Sequence, residues 1–227
     1  MRRAALSAIL LCAALLCAAC TTAPTPPPTP AATDATAAAT TTTASPGELA
    51  PRRVKAATLP SDALAAMGAK EVAPEVPWTR WGLPTPCVTP RPDSRDEFGY
   101  YINHNRSWEG SDYVVHHLVT WFKKGDGTTA LTRIRTHAES CRQYVEPELS
   151  GSDQPITVTA FDLAPEPGTD AAYGFCEGND TFSLCWALLS RGDLMSITAV
   201  GGIPYQDESI GILLDLVPAA ADLLVKA

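Results

Sequence analysis

The chain has 227 residues, of which 45% are hydrophobic and 19% charged, and its formal net charge at pH 7 is −8. This acidic balance argues against nucleic acid and anionic lipid headgroups as partners, because both need a basic protein surface. The length of the chain suits one domain with one sizeable core, in addition to an N-terminal leader.

The first twenty residues have the pattern of a lipoprotein signal peptide. A basic start, Arg2-Arg3, precedes the uncharged apolar stretch 4–16, which is too short to span a bilayer. The small residues Ala18-Ala19 then precede Cys20, whose thiol could receive lipid chains such as palmitate. We therefore expect residues 1–19 to be cleaved and Cys20 to anchor the chain at the outer face of the cell membrane. The alternative is an ordinary secretory signal with incidental cysteines.

A spacer follows the lipidated cysteine. The segment Thr21–Pro46 contains ten Thr, eight Ala and six Pro, so it has little apolar surface to bury and few backbone donors. We predict a disordered tether over residues 20–47 and a single domain over residues 48–227. Loss of residues 1–19 removes two arginines and no acidic residue, so the formal net charge of the mature chain is near −10. The Ala and Thr tracts also indicate an actinobacterial source.

The first half of the domain predicts few regular elements. A short capped helix is expected over Ala63–Ala69. The segment Pro74–Pro92 carries six prolines and should be irregular, packed on the core by Trp78 and Trp81. The segment Asp112–Phe122 alternates between two apolar faces and predicts a central strand.

The second half predicts four consecutive strands between two helices. Consecutive hairpins favour antiparallel pairing, and the helices should cover the sheet, which makes the fold class α+β. Pro218 should kink or restart the last helix. The predicted elements are a helix over Thr128–Cys141, strands over Ile156–Leu163, Ala172–Cys176, Thr181–Leu189 and Leu194–Val200, and a helix over Glu208–Lys226.

Cysteine usage indicates two structural disulfides. Cys12 and Cys17 leave with the leader, and four cysteines remain besides the lipidated one: Cys87, Cys141, Cys176 and Cys185. An even set in an exported domain implies two bridges with three possible connectivities, and the spacing lacks the close pairs of a zinc site. Since Cys176 and Cys185 flank the hairpin signal Gly178-Asn179-Asp180, we predict that they pair, which leaves Cys87 for Cys141.

The sequence does not indicate a metal site or catalytic machinery. His116 and His117 are neighbours on a predicted strand and point to opposite faces, so they cannot share an ion, and no cofactor is expected. The motifs Gly-x-Ser-x-Gly and His-Glu-x-x-His are missing, as is a phosphate-binding glycine-rich loop. We therefore expect a non-catalytic protein.

Aromatic residues in a polar stretch are the candidate binding residues. Tyr100, Tyr101 and Trp108 lie close in sequence to Arg106. Aromatic faces combined with amide and guanidinium donors suit a cleft for glycans or peptides. The alternative is ordinary packing in the core.

Three stretches resemble the extracellular sensor domain of PknH-type kinases and related actinobacterial lipoproteins. They are Phe122 with the helix ending at Cys141, Cys185–Leu188 continuing through Arg191-Gly192-Asp193 into the next strand, and Gly201-Gly202 before the last helix. The resemblance covers roughly residues 108–227. It implies a twisted antiparallel sheet flanked by helices, with a cleft for an unidentified extracellular ligand.

The expected function is that of a lipid-anchored surface lipoprotein with a sensor-like extracytoplasmic domain. Its partners would be the membrane, through the anchor, and a small ligand or an envelope protein. A module for docking onto another envelope protein is the alternative, followed by a hydrolase of unrecognised type.

Overall fold

The computed structural model describes residues 44–72, 83–88, 99, 101–202 and 205–227. Several predictions concern other parts of the chain. The leader, Cys20, the tether up to residue 43, Trp78, Trp81 and Tyr100 lie outside the described residues.

An eight-stranded antiparallel sheet forms the centre of the domain. Its strands are β1 (Lys70–Val72), β2 (Tyr101–Glu109), β3 (Val114–Phe122), β4 (Gln143–Tyr144), β5 (Ile156–Phe161), β6 (Ala171–Asn179), β7 (Phe182–Arg191) and β8 (Leu194–Gly201). Their order across the sheet is β1-β2-β3-β8-β7-β6-β5-β4, and every neighbouring pair is antiparallel. The predicted α+β class with an antiparallel sheet is confirmed.

Three helices cover the two faces of this sheet. They are α1 (Pro46–Ala56), α2 (Gly127–Ser140) and α3 (Gln206–Lys226). Helices α1 and α3 lie on one face, which we call the first face, and α2 lies on the opposite, second face. Shorter helical pieces occur at Ala65–Met67 and Pro147–Ser150.

Each face has its own hydrophobic core. On the first face, α3 buries Leu213, Val217 and Leu224 against the sheet, as its apolar spacing predicts. On the second face, α2 buries Leu131 and Ile134. The central strands β7 and β8 are buried on both faces, which explains why their sequences are apolar without alternation.

The two predicted disulfides are both present. Cys176 lies directly opposite Cys185 in the register of β6 and β7, with a Cα–Cα distance of 4.0 Å. Cys87 is joined to Cys141, at the end of α2, across a Cα–Cα distance of 5.9 Å.

The N-terminal helix differs from the prediction. No helix longer than a single 3-10 turn forms over Ala63–Ala69, where Gly68 adopts φ 77° and ends the turn. Instead α1 begins at Pro46, before the predicted domain boundary at 48. The signal for this helix is the capping pattern Ser45-x-x-Glu48, and the Glu48 carboxylate does accept the Ser45 N–H at 2.7 Å.

The last helix is continuous through Pro218, so the restart that was one of the two predicted outcomes does not occur. Proline removes the hydrogen bond to the carbonyl of Leu214, four residues earlier. Both residues lie on the exposed side of α3, so water can take the place of that bond.

Candidate functional site

The predicted aromatic cleft is divided between the two faces of the sheet. No regular element was predicted for this polar stretch, but it forms strand β2, where successive side chains point to opposite sides. Tyr101 lies on the second face, whereas Arg106 and Trp108 lie on the first. Tyr101 therefore lies on the opposite face of the sheet from Arg106 and Trp108.

Trp108 is a core residue. Its side chain has no exposed surface, and its indole Nε1 donates a hydrogen bond to the carbonyl of Ser61 at 2.8 Å. This bond fixes the turn after α1 against the sheet. A tryptophan with all its surface buried and its donor paired has no group left for a ligand.

Arg106 belongs to an ion pair at the edge of the sheet. Its guanidinium lies 2.7 Å from the carboxylate of Glu71 in β1, which pairs with β2. The contact holds the short edge strand in place, and both side chains are partly exposed. The pair is a structural contact across two strands.

Tyr101 contacts a residue that lines the cavity which we regard as the candidate site. Its ring packs on Phe122 of β3, with 6.4 Å between the ring centroids. Phe122 lies at the floor of a surface cavity of about 270 Å³, slightly below the range of about 300–1,000 Å³ for ligand pockets. The cavity is lined by Gly99, Phe122, Lys124, Gly125, Asp126, Thr129, Ala130 and Arg133.

The turn from β3 into α2 shapes this cavity. Gly125 adopts φ 104°, which reverses the chain directly after β3. Gly127 packs against the β7–β8 turn so closely that a Cβ atom would lie 2.0 Å from the carbonyl oxygen of Leu194. The Gly127 N–H donates to the carbonyl of Gly192 at 2.8 Å, so the start of α2 is fixed to the sheet.

Asp126 caps helix α2. Its carboxylate accepts a hydrogen bond from the backbone N–H of Thr129, and this bond lowers the pKa of Asp126. The carboxylate is therefore ionised at neutral pH and already engaged. Among the described residues that line the cavity, the other charged side chains are the cations Lys124 and Arg133.

A histidine pair lies inside the first face. His117 is fully buried: its Nδ1 accepts the N–H of Leu59 at 3.1 Å, and Nε2 lies 2.8 Å from the hydroxyl of Ser196. Nearby, His104 Nδ1 lies 3.1 Å from Thr58 Oγ1. Burial, with a smaller contribution from His104, lowers the pKa of His117 to about 3, so this ring is neutral.

His116 points to the opposite face, as the alternation predicts. Its Nδ1 lies 2.9 Å from the Ser107 hydroxyl, and burial lowers its pKa to about 4. Both histidines act as neutral hydrogen-bonding groups between strands. Among the described residues, no three His, Cys, Asp or Glu side chains come close enough to hold a metal ion.

The buried carboxylate of Glu177 in β6 was not predicted from the sequence. It is 1% exposed and accepts hydrogen bonds from the Tyr144 hydroxyl at 2.8 Å and from Trp186 Nε1 at 3.1 Å. These bonds join β4, β6 and β7. We interpret it as a structural network, because its donors come from the strands beside it.

None of the helices within the described ranges combines the length and apolar character needed to cross a bilayer.

Among known proteins, this chain shows weak similarity to solved structures. The chain matches no family profile and no curated protein. Among solved structures, it is similar to the crystal structure of the extracellular domain of PknH from Mycobacterium tuberculosis, with 14% sequence identity and a TM-score of 0.44. The match covers 77% of this chain and 94% of that chain. A similarity at this level assigns the chain to no family.

Proposed function

We propose that this chain is a lipid-anchored extracytoplasmic protein whose disulfide-bonded domain binds a small ligand without transforming it chemically. The ligand site is the cavity between the end of β3 and the start of α2.

Two independent features support the proposed extracytoplasmic location of the protein. The leader places small residues before Cys20, as lipoprotein processing requires. The domain carries the bridges Cys87–Cys141 and Cys176–Cys185, which persist in oxidising compartments outside the cytoplasm.

The cavity is the observation that carries the binding role. Its floor contains Phe122 and Ala130, which are 3% and 4% exposed, and its rim contains the polar side chains of Lys124, Thr129 and Arg133. An apolar floor with a few polar groups around it is typical of a small-molecule site. The rigid attachment of Gly127 to the β7–β8 turn keeps this geometry in place.

The chemistry of the cavity favours binding over catalysis. Asp126 is the carboxylate in its wall, and a general base at neutral pH needs a pKa near 7. The hydrogen bond from Thr129 instead lowers the pKa of Asp126, which makes it a weak base and keeps it on the helix cap. Lys124 and Arg133 can orient a ligand, but they do not form a nucleophile–base pair with it.

A thermal-shift screen tests this proposal. The chain from residue 20, carrying Cys20→Ala and purified with its disulfides intact, is screened against cell-wall fragments, lipids and short peptides. The Thr129→Trp variant fills the cavity, and Thr136→Trp puts the same bulk on an exposed position of α2 away from it. We expect a ligand to raise the melting temperature of the parent and of the Thr136 variant, but not of the Thr129 variant.

Two results would contradict the proposal. If every stabilising compound acts equally on the Thr129→Trp variant, the cavity is not the binding site. If no small compound stabilises the chain while an envelope protein binds it, the domain is a docking module.

A further inference from the structure

The cavity beside α2 combines carbon surface with positive charge. Phe122 and Ala130 supply the carbon surface, and Lys124 and Arg133 supply the charge. In the part of the chain that the structure describes, no salt bridge occupies Lys124. A ligand with the opposite charge can therefore meet at least one cation that is not neutralised.

Three of the first four backbone amides of α2 are already used. The N–H of Gly127 donates to Gly192, and the N–H of Ala130 donates to the backbone carbonyl of Asp126 at 3.3 Å. The N–H of Thr129 donates to the Asp126 side chain. Recognition of a charged ligand therefore depends mainly on the side chains of the cavity.

The local charge differs in sign from that of the whole chain. Two cations face the cavity, while its carboxylate, Asp126, is held by Thr129. The chain as a whole carries −8, which repels anions from most of its surface. A positive cavity on an acidic protein selects anions at one place.

We propose that the cavity selects a small ligand in which a carboxylate or phosphate group is joined to an apolar ring or chain. The anionic group lies between Lys124 and Arg133, and the apolar part rests on Phe122. This inference rests on the proposed function, because it names the ligand class of the same cavity.

Matched aromatic probes test the ligand class. The mature chain with Cys20→Ala is titrated with benzoate, phenyl phosphate and the neutral isostere benzamide, and binding is followed by the amide NMR signals of Gly125, Thr129 and Arg133. We expect either anion to bind at least about fivefold more tightly than benzamide, and the tighter anion identifies carboxylate or phosphate. Salt at about 0.5 M should weaken the binding of both anions and leave the binding of benzamide unchanged.

Variants locate the charge recognition. Lys124→Ala and Arg133→Ala should each lower the affinity for the tighter-binding anion about two- to fivefold. Lys124→Arg should restore that affinity. Lys123→Ala removes an equal charge from the neighbouring residue, which does not line the cavity, and serves as the control.

Three results would overturn the inference: equal or tighter binding of benzamide, equal losses in the Lys123 and Lys124 variants, or no binding of any probe at these amides. The proposed function fails separately, when the broader thermal-shift screen finds no compound whose effect depends on Thr129→Trp. A neutral ligand found in that screen would refute the charge selection and leave the binding role in place.

Discussion

Trp121 donates its indole N–H to the carboxylate of Asp193, with 2.6 Å between Nε1 and Oδ2. The same oxygen lies 2.9 Å from the guanidinium of Arg53, whose Nε also donates to the carbonyl of Ala227. Asp193 lies in the turn between β7 and β8. This one carboxylate therefore links α1, β3 and the β7–β8 turn, and Arg53 extends the link to the end of α3.

Removing the Asp193 charge should destabilise the domain. Burial opposes ionisation of this carboxylate, but hydrogen bonds from Arg53 and Trp121 outweigh it and lower its pKa. We expect Asp193→Asn to reduce the free energy of unfolding by about 1–2 kcal/mol, measured by urea denaturation. The control is Asp222→Asn, which breaks an exposed helix pair with Lys226 and should change stability by less than about 0.5 kcal/mol. Equal effects of the two substitutions would contradict the linking role.

Acid should destabilise the domain through His117. Its folded pKa of about 3 lies below the usual 6.5, so between these pH values the unfolded chain takes up a proton that the folded chain does not. The contribution of His117 to the free energy of unfolding is complete above pH 6.5. As the pH falls below that value, the contribution decreases by about 1.4 kcal/mol per pH unit. We expect His117→Gln to show a shallower loss of stability between pH 6.5 and 4.5 than the parent.

Other groups titrate in the same direction and need separate variants. His116 has a folded pKa of about 4, and Asp193 loses its contribution as pH falls through its own lowered pKa. His137→Gln, at a partly exposed position of α2, serves as the control. If His117→Gln retains the full pH dependence of the parent, the buried ring is not its source.

The long-range disulfide should contribute substantially to the free energy of unfolding. The bridge Cys87–Cys141 spans 54 residues, and the loop-closure entropy of the unfolded chain gives about 4 kcal/mol for that separation. We expect the double variant Cys87→Ala/Cys141→Ala to lose about this amount in urea denaturation at pH 7. A loss below about 1 kcal/mol would mean that the bridge does not restrict the unfolded chain. Non-reducing peptide mapping gives an independent check, and a Cys87–Cys176 peptide would contradict the pairing.

The sequence predicted the second half of the domain better than the first, for physical reasons. In the second half the signals are local: a hairpin turn at Gly178-Asn179-Asp180 sets the strand pairing, and that pairing places Cys176 opposite Cys185. Strand β2 was missed because its side chains are mostly polar, and it becomes a strand through its register with β3. Tyr101 and Trp108 then fall on opposite faces.

The candidate site could not be read from the sequence. Phe122 and Arg133 are 11 positions apart and meet only because the turn at Gly125 folds α2 back over the second face. Gly127 gave a signal in retrospect, since glycine at the start of a helix indicates a close approach to another backbone, here that of Leu194. No local pattern identifies which backbone that is.

Lipidation should determine where the chain is found. Cys20→Ala removes the thiol that would carry the lipid, so the variant should leave the membrane fraction and appear in the soluble fraction. The measurement is fractionation of cells without detergent, followed by detection of the protein in each fraction. Retention of the variant in washed membranes would refute the anchor, and Cys17→Ala serves as the control that should remain bound.

Hydrogen–deuterium exchange tests the central claim most directly, namely that the cavity at the start of α2 is the ligand site. The oxidised chain is compared with and without the compound that gives the largest thermal shift. Binding should slow exchange most in peptides that cover residues 122–133, because they carry most of the cavity wall. Protection confined to β2 or to the outer surface of α3, with residues 122–133 unchanged, would contradict the account.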